Sequence, residues 1–281
     1  MKYRNITKTN DSVVGMISAI LLIGLLIMVI SIVNYSYVPQ WVENGESSHM
    51  EMVSNQFAQL KYALDIQSLI SDNTALTTSI KLSRDEIPFL DPYKNFGSIT
   101  VKSDRCTFVI KDNTSRYYNF TTDSIEFSSQ NLYYVNQDYI YEAGAIILAQ
   151  SNSSVMKGQP SITVSEYGEN LSITFVNITG VRGKSYASGI GTYPIYTRVL
   201  STDDQFTKIE NVEQLTVYTY YPKAWFTIFN DSLVYSGFNY SINPLDANNR
   251  VIIDFDNVPE DDYNIIIKEV KISAQIAWGI V

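Results

Sequence analysis

Apolar residues are distributed unevenly along this chain, and the longest apolar stretch, which is free of charged residues, runs from Val13 to Val33. As an α-helix, these 21 residues extend about 31 Å, which matches a bilayer hydrocarbon core of about 30 Å. The stretch is not followed by the Ala-x-Ala cleavage pattern of a secretory signal peptide. A buried helix of a soluble protein is the alternative, but core helices rarely lack charge over this length. The sequence therefore predicts a transmembrane helix over residues 13–35 that remains as an anchor and contacts membrane lipid through Val13–Val33.

The charges that flank this stretch predict the orientation of the anchor. Basic side chains precede it at Lys2, Arg4 and Lys8, whereas the first charged residues after it are Glu43 and Glu46. Because cytoplasmic flanks favour Lys and Arg, residues 1–12 are expected in the cytoplasm and the C-terminal domain outside the cell. Aromatic residues that suit the outer headgroup layer follow at Tyr35, Tyr37 and Trp41. The expected location is the cell membrane, crossed once.

A second apolar pattern, with helical periodicity, follows the anchor. Five apolar residues recur at spacings of three and four and share one face: Met50, Val53, Phe57, Leu60 and Leu64. This pattern predicts an amphipathic stalk helix over residues 36–79. Pro39 and Gly45 weaken its first part, so either one helix kinks there or a second helix begins near Ser47 or Ser48. The apolar face would pack on the following domain or on identical helices of neighbouring subunits.

Beyond the stalk, short runs rich in β-branched and aromatic residues alternate with polar turns. Two of these predicted strands are Leu132–Val135 and Leu233–Tyr235. A short helix is expected at Pro222, with Trp225, Ile228 and Phe229 facing inward. The fold class is α+β: an N-terminal transmembrane helix and an amphipathic stalk helix, followed by an antiparallel β-sandwich or jelly-roll-like domain over residues 80–281. The absence of long helical patterns among the strands disfavours a parallel sheet.

Composition and charge exclude several classes of function. The net charge of −9 and the pI near 4.7 disfavour nucleic acid as a partner, because such a partner requires clustered Lys and Arg. Cys106 is the only cysteine, so a disulfide within the chain and a thiolate zinc site are excluded, and a buried strand position is expected. His49, the only histidine, is expected to be a solvated helical residue.

The chain carries no recognisable motif for catalysis and none for a cofactor. A nucleophile beside a base, a pair of unlike carboxylates and a metal-bound water each lack a sequence signal. One acidic run has oxygen ligands that suit calcium: Asp254, Asp256, Asp261 and Asp262. It lacks the glycine and the final glutamate of an EF-hand loop, so a solvated turn is the favoured interpretation. The protein is expected to be non-enzymatic.

Asparagine-linked glycosylation is the modification that the sequence favours. Ten Asn-x-Ser/Thr triplets occur, and seven lie on the predicted outer side: Asn113, Asn119, Asn152, Asn170, Asn177, Asn230 and Asn239. A β protein rich in Asn and Thr also generates such triplets as a by-product, and a glycan near a strand needs an outward side chain. The enrichment nevertheless predicts a glycosylated surface protein.

Tyrosine is abundant in the strand-forming part of the chain. Nine of these residues are Tyr133, Tyr134, Tyr139, Tyr141, Tyr193, Tyr196, Tyr218, Tyr220 and Tyr221. Rings with polar tips bind sugars and protein partners, but alternate tyrosines along strands usually pack across a sheet. Structural packing is therefore favoured, and a carbohydrate- or calcium-binding receptor module is the alternative function.

The segment Asp11–Gly15, together with the Ile- and Leu-rich span after it, resembles the N-terminus of archaeal type IV pilin-like proteins. Tyr37–Gln40 and Tyr141–Ile147 are similar to parts of a group of uncharacterised archaeal surface proteins. The resemblance implies export, a long N-terminal helix, an exposed β domain, and contacts with other pilin-like subunits or cell-envelope glycans. Thr9 and Asn10 stand where prepilins have a basic residue followed by Gly or Ala, so a processed N-terminus and an uncleaved anchor are alternatives. The sequence thus predicts a membrane-anchored, pilin-like or adhesin-like surface protein.

Overall fold

A computed structural model of the protein describes residues 8–70, 73–85, 96–151, 153–165, 170–202, 206–234, 236–246, 249–255 and 263–276. The helical elements are α1 (Lys8–Ile32), a π-helical segment (Val33–Tyr37), α2 (Val38–Ile70) and α3 (Pro222–Leu233). The strands are β1 (Leu76–Lys81), β2 (Gly97–Asp112), β3 (Tyr117–Ser129), β4 (Asp138–Glu142), β5 (Ala145–Gln150), β6 (Ser153–Gly158), β7 (Ile162–Val164), β8 (Asn170–Gly180), β9 (Tyr186–Gly189), β10 (Thr192–Thr202), β11 (Thr207–Ile209), β12 (Val212–Thr219), β13 (Tyr240–Asp246), β14 (Arg250–Phe255) and β15 (Asn264–Ile276). The predicted α+β fold class is confirmed.

Helix α1 is long and apolar enough to cross a membrane. Every large apolar side chain from Val13 to Ile32 is at least 50% exposed, so the β domain does not cover this helix. An uncovered apolar surface of this size is unfavourable in water and favourable in hydrocarbon. The predicted apolar helix is thus present near the N-terminal end of the described chain, and it is long and apolar enough to span a membrane.

One continuous helical path joins α1 to α2. The backbone N–H of Val38 donates to the carbonyl of Val33, five residues earlier, which is the hydrogen bond of a π turn. Pro39 follows at once, and because its ring removes a backbone donor, a wider turn beside it relieves the local helix geometry. The helix then continues through Gly45 and Ser47, so a separate second helix does not begin there.

The stalk helix is shorter than the sequence predicted. Helix α2 ends at Ile70, and β1 already belongs to the sheet, because Leu76 pairs with Thr197 and Lys81 with Thr192 on β10. The run Thr77-Thr78-Ser79 explains the difference, since these residues favour an extended strand over a helix. The sheet therefore begins before residue 80, and α2 packs on it rather than standing free.

The strands form two connected sheets. One contains β1, β10, β15 and β8 in that order, with β7 and β11 at its margins, and the other contains β3, β2, β12, β14 and β13, with β4, β5, β6 and β9 attached. A pairing between Asp123 of β3 and Ile178 of β8 links them. Neighbouring strands are antiparallel except β8 and β15, which run parallel over eleven residue pairs. This parallel pair joins strands far apart in sequence, which local patterns do not reveal.

Two hydrophobic cores lie on opposite faces of the β4–β5 hairpin. The first, here called the α3 core, contains Trp225, Phe229, Phe108 and Phe175. The second, the α2 core, contains Phe57, Leu60, Phe127 and Tyr141. Alternation along the hairpin serves both cores, because Ile140 and Ile147 face the α3 core while Tyr139, Tyr141 and Ile146 face the α2 core. The five stripe residues predicted on α2 are all buried in the α2 core, as expected.

Three local predictions have clear outcomes. The helix at Pro222 is confirmed, and Trp225, Ile228 and Phe229 are buried. The segment 132–135 is not a strand but part of the irregular connection between β3 and β4, and residues 233–234 end α3, so both strand predictions are wrong. Each segment is short and apolar, and tertiary contacts rather than propensity decide its conformation.

Candidate functional site

The first polar centre is built around Glu46, a fully buried residue of α2. Its two carboxylate oxygens accept backbone N–H bonds from Leu132, Tyr133 and Tyr134 at 2.8–2.9 Å. The Nε atom of Arg84 lies 4.0 Å from Oε1 of the same carboxylate. This arrangement, the Glu46 clamp, fixes the connection between β3 and β4 to the stalk helix and explains why residues 132–135 do not extend as a strand.

The one histidine lies one helical turn beyond the clamp. His49 is 2% exposed, and its Nε2 atom lies 2.8 Å from the carbonyl oxygen of Lys81. Its ring meets Phe127 edge-on, and burial lowers its pKa below the ordinary value. The prediction of a solvated histidine is therefore wrong. His49 lies on the same helical face as Met50 and Val53, so it is buried with them.

The second polar centre is Glu142, which ends β4 inside the α3 core. The next two residues, Ala143 and Gly144, have φ angles of 47° and 85° and form the tight turn to β5. One carboxyl oxygen of Glu142 accepts hydrogen bonds from the Thr219 hydroxyl at 2.6 Å and from the Trp225 indole N–H at 2.7 Å. Burial raises the pKa of Glu142 to about 7, and these two hydrogen bonds oppose the rise.

Glu142 supports the floor of a surface groove. Two adjoining depressions of about 230 and 290 Å³ share Tyr220 and Asn249. Their walls include Asp104, Arg105, Tyr218, Ser151, Ser154 and Lys223. Thr219, which donates to Glu142, also accepts the backbone N–H of Tyr221 through its hydroxyl. We call this surface the tyrosine groove. The end of β12 that lines it is held in place by the hydrogen bond from Thr219 to the buried carboxyl group of Glu142.

Arg105 covers one face of the Tyr220 ring, because its guanidinium carbon lies 3.8 Å from the ring centroid. Arg105 is itself oriented by Glu126, since its Nε atom donates to Oε1 at 3.1 Å. Glu126 also accepts from Ser124 and pairs with Lys102, and these contacts hold its pKa below the ordinary value despite burial. Tyr220 remains 57% exposed, so an ordered aromatic ring with a polar tip faces solvent.

The nine tyrosines singled out from the sequence have different roles. Tyr139 and Tyr141 are buried in the α2 core, as the packing interpretation predicts. Tyr218, Tyr220 and Tyr221 come together at the tyrosine groove. Tyr133 is exposed beside the Glu46 clamp, and Tyr134, Tyr193 and Tyr196 are half-buried. Position on the strand, rather than residue type, separates the packing residues from those on the surface.

The predicted glycosylation positions differ in their access to solvent. Asn113, Asn119 and Asn239 are exposed, and Asn170, Asn177 and Asn230 are half-buried. The side-chain nitrogen of Asn177, the atom to which a glycan attaches, donates to Glu269 at 2.7 Å. Asn152 lies outside the described residues. All seven positions therefore stay predictions, with the three exposed ones best suited to modification.

One residue of the acidic run, Asp254, lies among the described residues. Asp254 lies on β14, half-buried, and accepts a hydrogen bond from the Gln214 side chain at 2.6 Å. Asp256, Asp261 and Asp262 lie outside the described residues. Within the part of the chain that the structure describes, groups of three or more His, Cys, Asp or Glu side chains suited to a metal do not occur. Cys106 is buried in β2, as predicted, and burial raises the pKa of its thiol.

Sequence reasoning missed both buried glutamates and Arg105. Glu46 lies on the same helical face as Val42, Met50 and Val53, and this position in the apolar stripe was the available signal. Glu142 precedes an Ala-Gly turn at the end of an apolar strand, so its burial follows from the short hairpin. Comparison with other proteins adds nothing to these assignments, because the chain matches no protein family model, no curated protein and no solved structure.

Proposed function

We propose that this protein is a single-pass, non-enzymatic surface protein that anchors its β domain to the cell membrane and displays it outside the cell. The observation that carries this proposal is the uncovered apolar helix α1, which continues without a break into α2. Helix α2 is in turn buried along one face, and its stripe from Met50 to Leu64 packs in one core with strands of the β domain. A chain built in this way holds its domain close to the bilayer on a stiff support.

Protease accessibility tests the anchoring and its orientation. Protease added to intact cells that express the chain is expected to digest the β domain, while a tag placed before Lys2 remains intact until the cells are permeabilised. The chain should also stay with the membrane fraction after alkaline extraction, because about 20 apolar residues hold it in lipid. A domain that is digested only in permeabilised cells, or a chain released by alkali, contradicts the proposal.

A pilin-like or adhesin-like role is the finer part of this proposal. It is supported by the resemblance of Asp11–Gly15 and the following span to archaeal pilin-like N-termini. Mass spectrometry of the mature chain distinguishes the two possible forms of anchor. A new N-terminus near residues 10–12 supports processing and assembly with other pilin-like subunits, whereas an intact Met1 supports permanent anchoring.

Glycosylation of the displayed domain is proposed from the seven outer triplets. Glycan masses are expected first on the exposed Asn113, Asn119 and Asn239, because an attached sugar must point into solvent. Asn177 serves as an internal comparison, since its side-chain nitrogen already donates to Glu269. Peptides without added mass at all seven positions would contradict this part of the proposal.

A second candidate function, carbohydrate binding, is favoured by the tyrosine groove. Sugar rings bind by stacking their C–H faces on aromatic side chains while hydroxyls bond to nearby polar groups. The groove offers the exposed Tyr220 ring, the Asn249 amide and serine hydroxyls at Ser151 and Ser154. Cell-envelope glycans are the partner class that fits this chemistry, and the calcium alternative lacks a ligand cluster among the described residues.

Glycan-array binding of the full chain in detergent tests this candidate. The Tyr220→Ala variant is expected to lose binding of any captured saccharide while keeping its fold, because the ring is mostly exposed. Tyr62→Ala on α2 is the matched control, since Tyr62 is also exposed and does not line the groove. Equal binding by the two variants, or capture of no saccharide by the parent chain, would exclude the groove as a sugar site.

A further inference from the structure

The wall of the tyrosine groove contains an arginine that is held in place but has unused hydrogen-bond donors. Arg105 donates through Nε to Oε1 of Glu126 at 3.1 Å, and its guanidinium group lies over the Tyr220 ring. Among the residues that the structure describes, the two Nη atoms of Arg105 have no hydrogen-bond acceptor. The Arg105 side chain is 20% exposed, so the N–H groups on these two atoms are available to a ligand in the groove.

The positive charge of Arg105 is not cancelled by its partner. Glu126 is shared with Lys102, so two positive side chains meet one carboxylate and the cluster keeps a positive charge. The charged side chains that line the groove are also positive on balance, since Arg105 and Lys223 are accompanied by one acidic residue, the exposed Asp104. The chain as a whole carries a net charge of −9. The groove is therefore a locally positive surface on an acidic protein.

The two depressions of the groove place this positive charge next to surfaces that suit a sugar. Both depressions include Tyr220 and Asn249, so a ligand on the Tyr220 ring can extend into either of them. Arg105 lines the first depression, and the hydroxyls of Ser151 and Ser154 line the second. A saccharide that contacts the exposed aromatic ring therefore meets a cation on one side and neutral hydrogen-bonding groups on the other.

A guanidinium group held in this way suits an anionic group of a ligand. Its planar N–H fork matches the paired oxygens of a carboxylate or a sulfate, and such charge-assisted hydrogen bonds are stronger than those to a neutral hydroxyl. Glu126 and the Tyr220 ring already fix the orientation of Arg105, so little conformational freedom is lost on binding. The ligand that fits this groove best thus combines a sugar ring with a negatively charged group.

We propose that the tyrosine groove binds acidic saccharides, in which a carboxylate or sulfate group accepts hydrogen bonds from Arg105 while a sugar ring stacks on Tyr220. This inference rests on the proposed carbohydrate binding by the groove. The overall charge of −9 repels polyanions in general, so the attraction depends on the local positive charge. Lys223 lines the second depression and extends this charge along the groove. Acidic glycans are therefore the partner class of this surface.

Binding of paired glycans to the full chain in detergent tests this proposal. The probes are oligosaccharides of galacturonate and of glucuronate and sulfated galactose oligosaccharides, each offered beside its carboxyl-reduced or desulfated form. The variants are Arg105→Gln, which removes the charge, and Arg105→Lys, which keeps the charge without the planar fork. Arg116→Gln is the matched control, because Arg116 is an exposed arginine in the turn between β2 and β3 that does not line the groove. Thermal unfolding checks the fold of each variant.

The parent chain is expected to bind one acidic form at least about tenfold more tightly than its neutral counterpart. Arg105→Gln should abolish this preference, Arg105→Lys should keep part of it, and Arg116→Gln should leave it unchanged. Equal affinity of the parent for acidic and neutral forms overturns the proposal and leaves carbohydrate binding intact, and this comparison needs no variant. Capture of neither form contradicts carbohydrate binding by the groove and the proposal with it. A preference that survives in a folded Arg105→Gln variant also overturns the proposal.

Discussion

Glu46 and Glu142 are both fully buried glutamates, yet they belong to different regions and have very different surroundings. Glu46 lies where α2 meets the β domain and uses both oxygens to accept three backbone N–H bonds, with Arg84 nearby. Glu142 lies in the α3 core, where one oxygen accepts two bonds from neutral side chains. Its other oxygen lacks a hydrogen-bond partner among the described residues.

Burial alone therefore does not set the role of a carboxyl group. A carboxylate can accept several backbone N–H bonds at once, and these bonds hold the donating segment of chain in place. The two neutral donors to one oxygen of Glu142 lower its pKa less than burial raises it. The pKa of Glu142 therefore rises to about 7. The first centre organises a contact between elements, and the second couples the α3 core to pH.

Glu46→Ala should destabilise the fold more than any other single change considered in this Discussion. Removing the acceptor of three hydrogen bonds from the connection between β3 and β4 is expected to lower the free energy of unfolding by about 4 kcal/mol. Glu43→Ala on the exposed side of α2 is the matched control and is expected to change it by less than about 0.5 kcal/mol. Chemical denaturation in detergent measures both, and equal values for the two variants would refute the clamp.

The next effect is a pH dependence that Glu142→Gln should remove. The folded chain keeps the Glu142 proton up to about pH 7, whereas the unfolded chain releases it near the ordinary pKa of 4.5. The contribution of this proton to stability is therefore complete below about pH 4.5 and is lost as the pH rises through 7. Between about pH 5 and 8, the parent chain should lose about 3 kcal/mol relative to the Gln variant. A difference that does not change with pH would contradict the assignment.

A smaller effect is expected for Trp225→Phe. The variant removes one hydrogen bond to Glu142 and leaves a small space in the α3 core, which together lower stability by about 2 kcal/mol. A double-mutant cycle with Glu142→Gln isolates the hydrogen bond from the loss of packing. Strictly additive effects of the two changes would show that the indole N–H and the carboxyl group do not interact.

The smallest effect concerns His49, and its sign is opposite to that of Glu142. Burial lowers the folded-state pKa of His49, so the unfolded chain binds a proton more readily in the range between the two values. Stability should therefore rise with pH through about 6.5, relative to His49→Gln, and then remain level. Unfolding measured at several pH values checks this, and a fall across the same range would contradict the buried, neutral imidazole.

The sequence was sufficient to predict elements whose pattern is local. The apolar stretch of α1, the stripe from Met50 to Leu64 and the Pro222 helix each follow from a period that a short segment contains. The parallel pairing of β8 with β15 was not predictable in this way, because it joins segments about a hundred residues apart. Leu132–Val135 looked like a strand because the residue that captures its backbone, Glu46, lies far away in the chain.

The candidate sites show the same limit. Tyrosine content suggested an aromatic surface, but only the fold separates Tyr220 in the groove from Tyr141 in the α2 core. Glu142 gave no sequence signal of its altered acidity, because burial and the two side-chain donors come from β12 and α3. Side-chain chemistry is visible in the sequence, whereas the surroundings that modify it are assembled from distant segments.

The helical path from Lys8 to Ile70 is continuous, and this continuity has a mechanical consequence. A rod of about 90 Å without a flexible joint transmits torque as well as tension. Under the proposed anchoring of α1 in lipid, a sideways force on the far end of the β domain would therefore tilt α1 within the bilayer. Under the same proposal, motion of α1 within the bilayer would be magnified at the far end of the β domain.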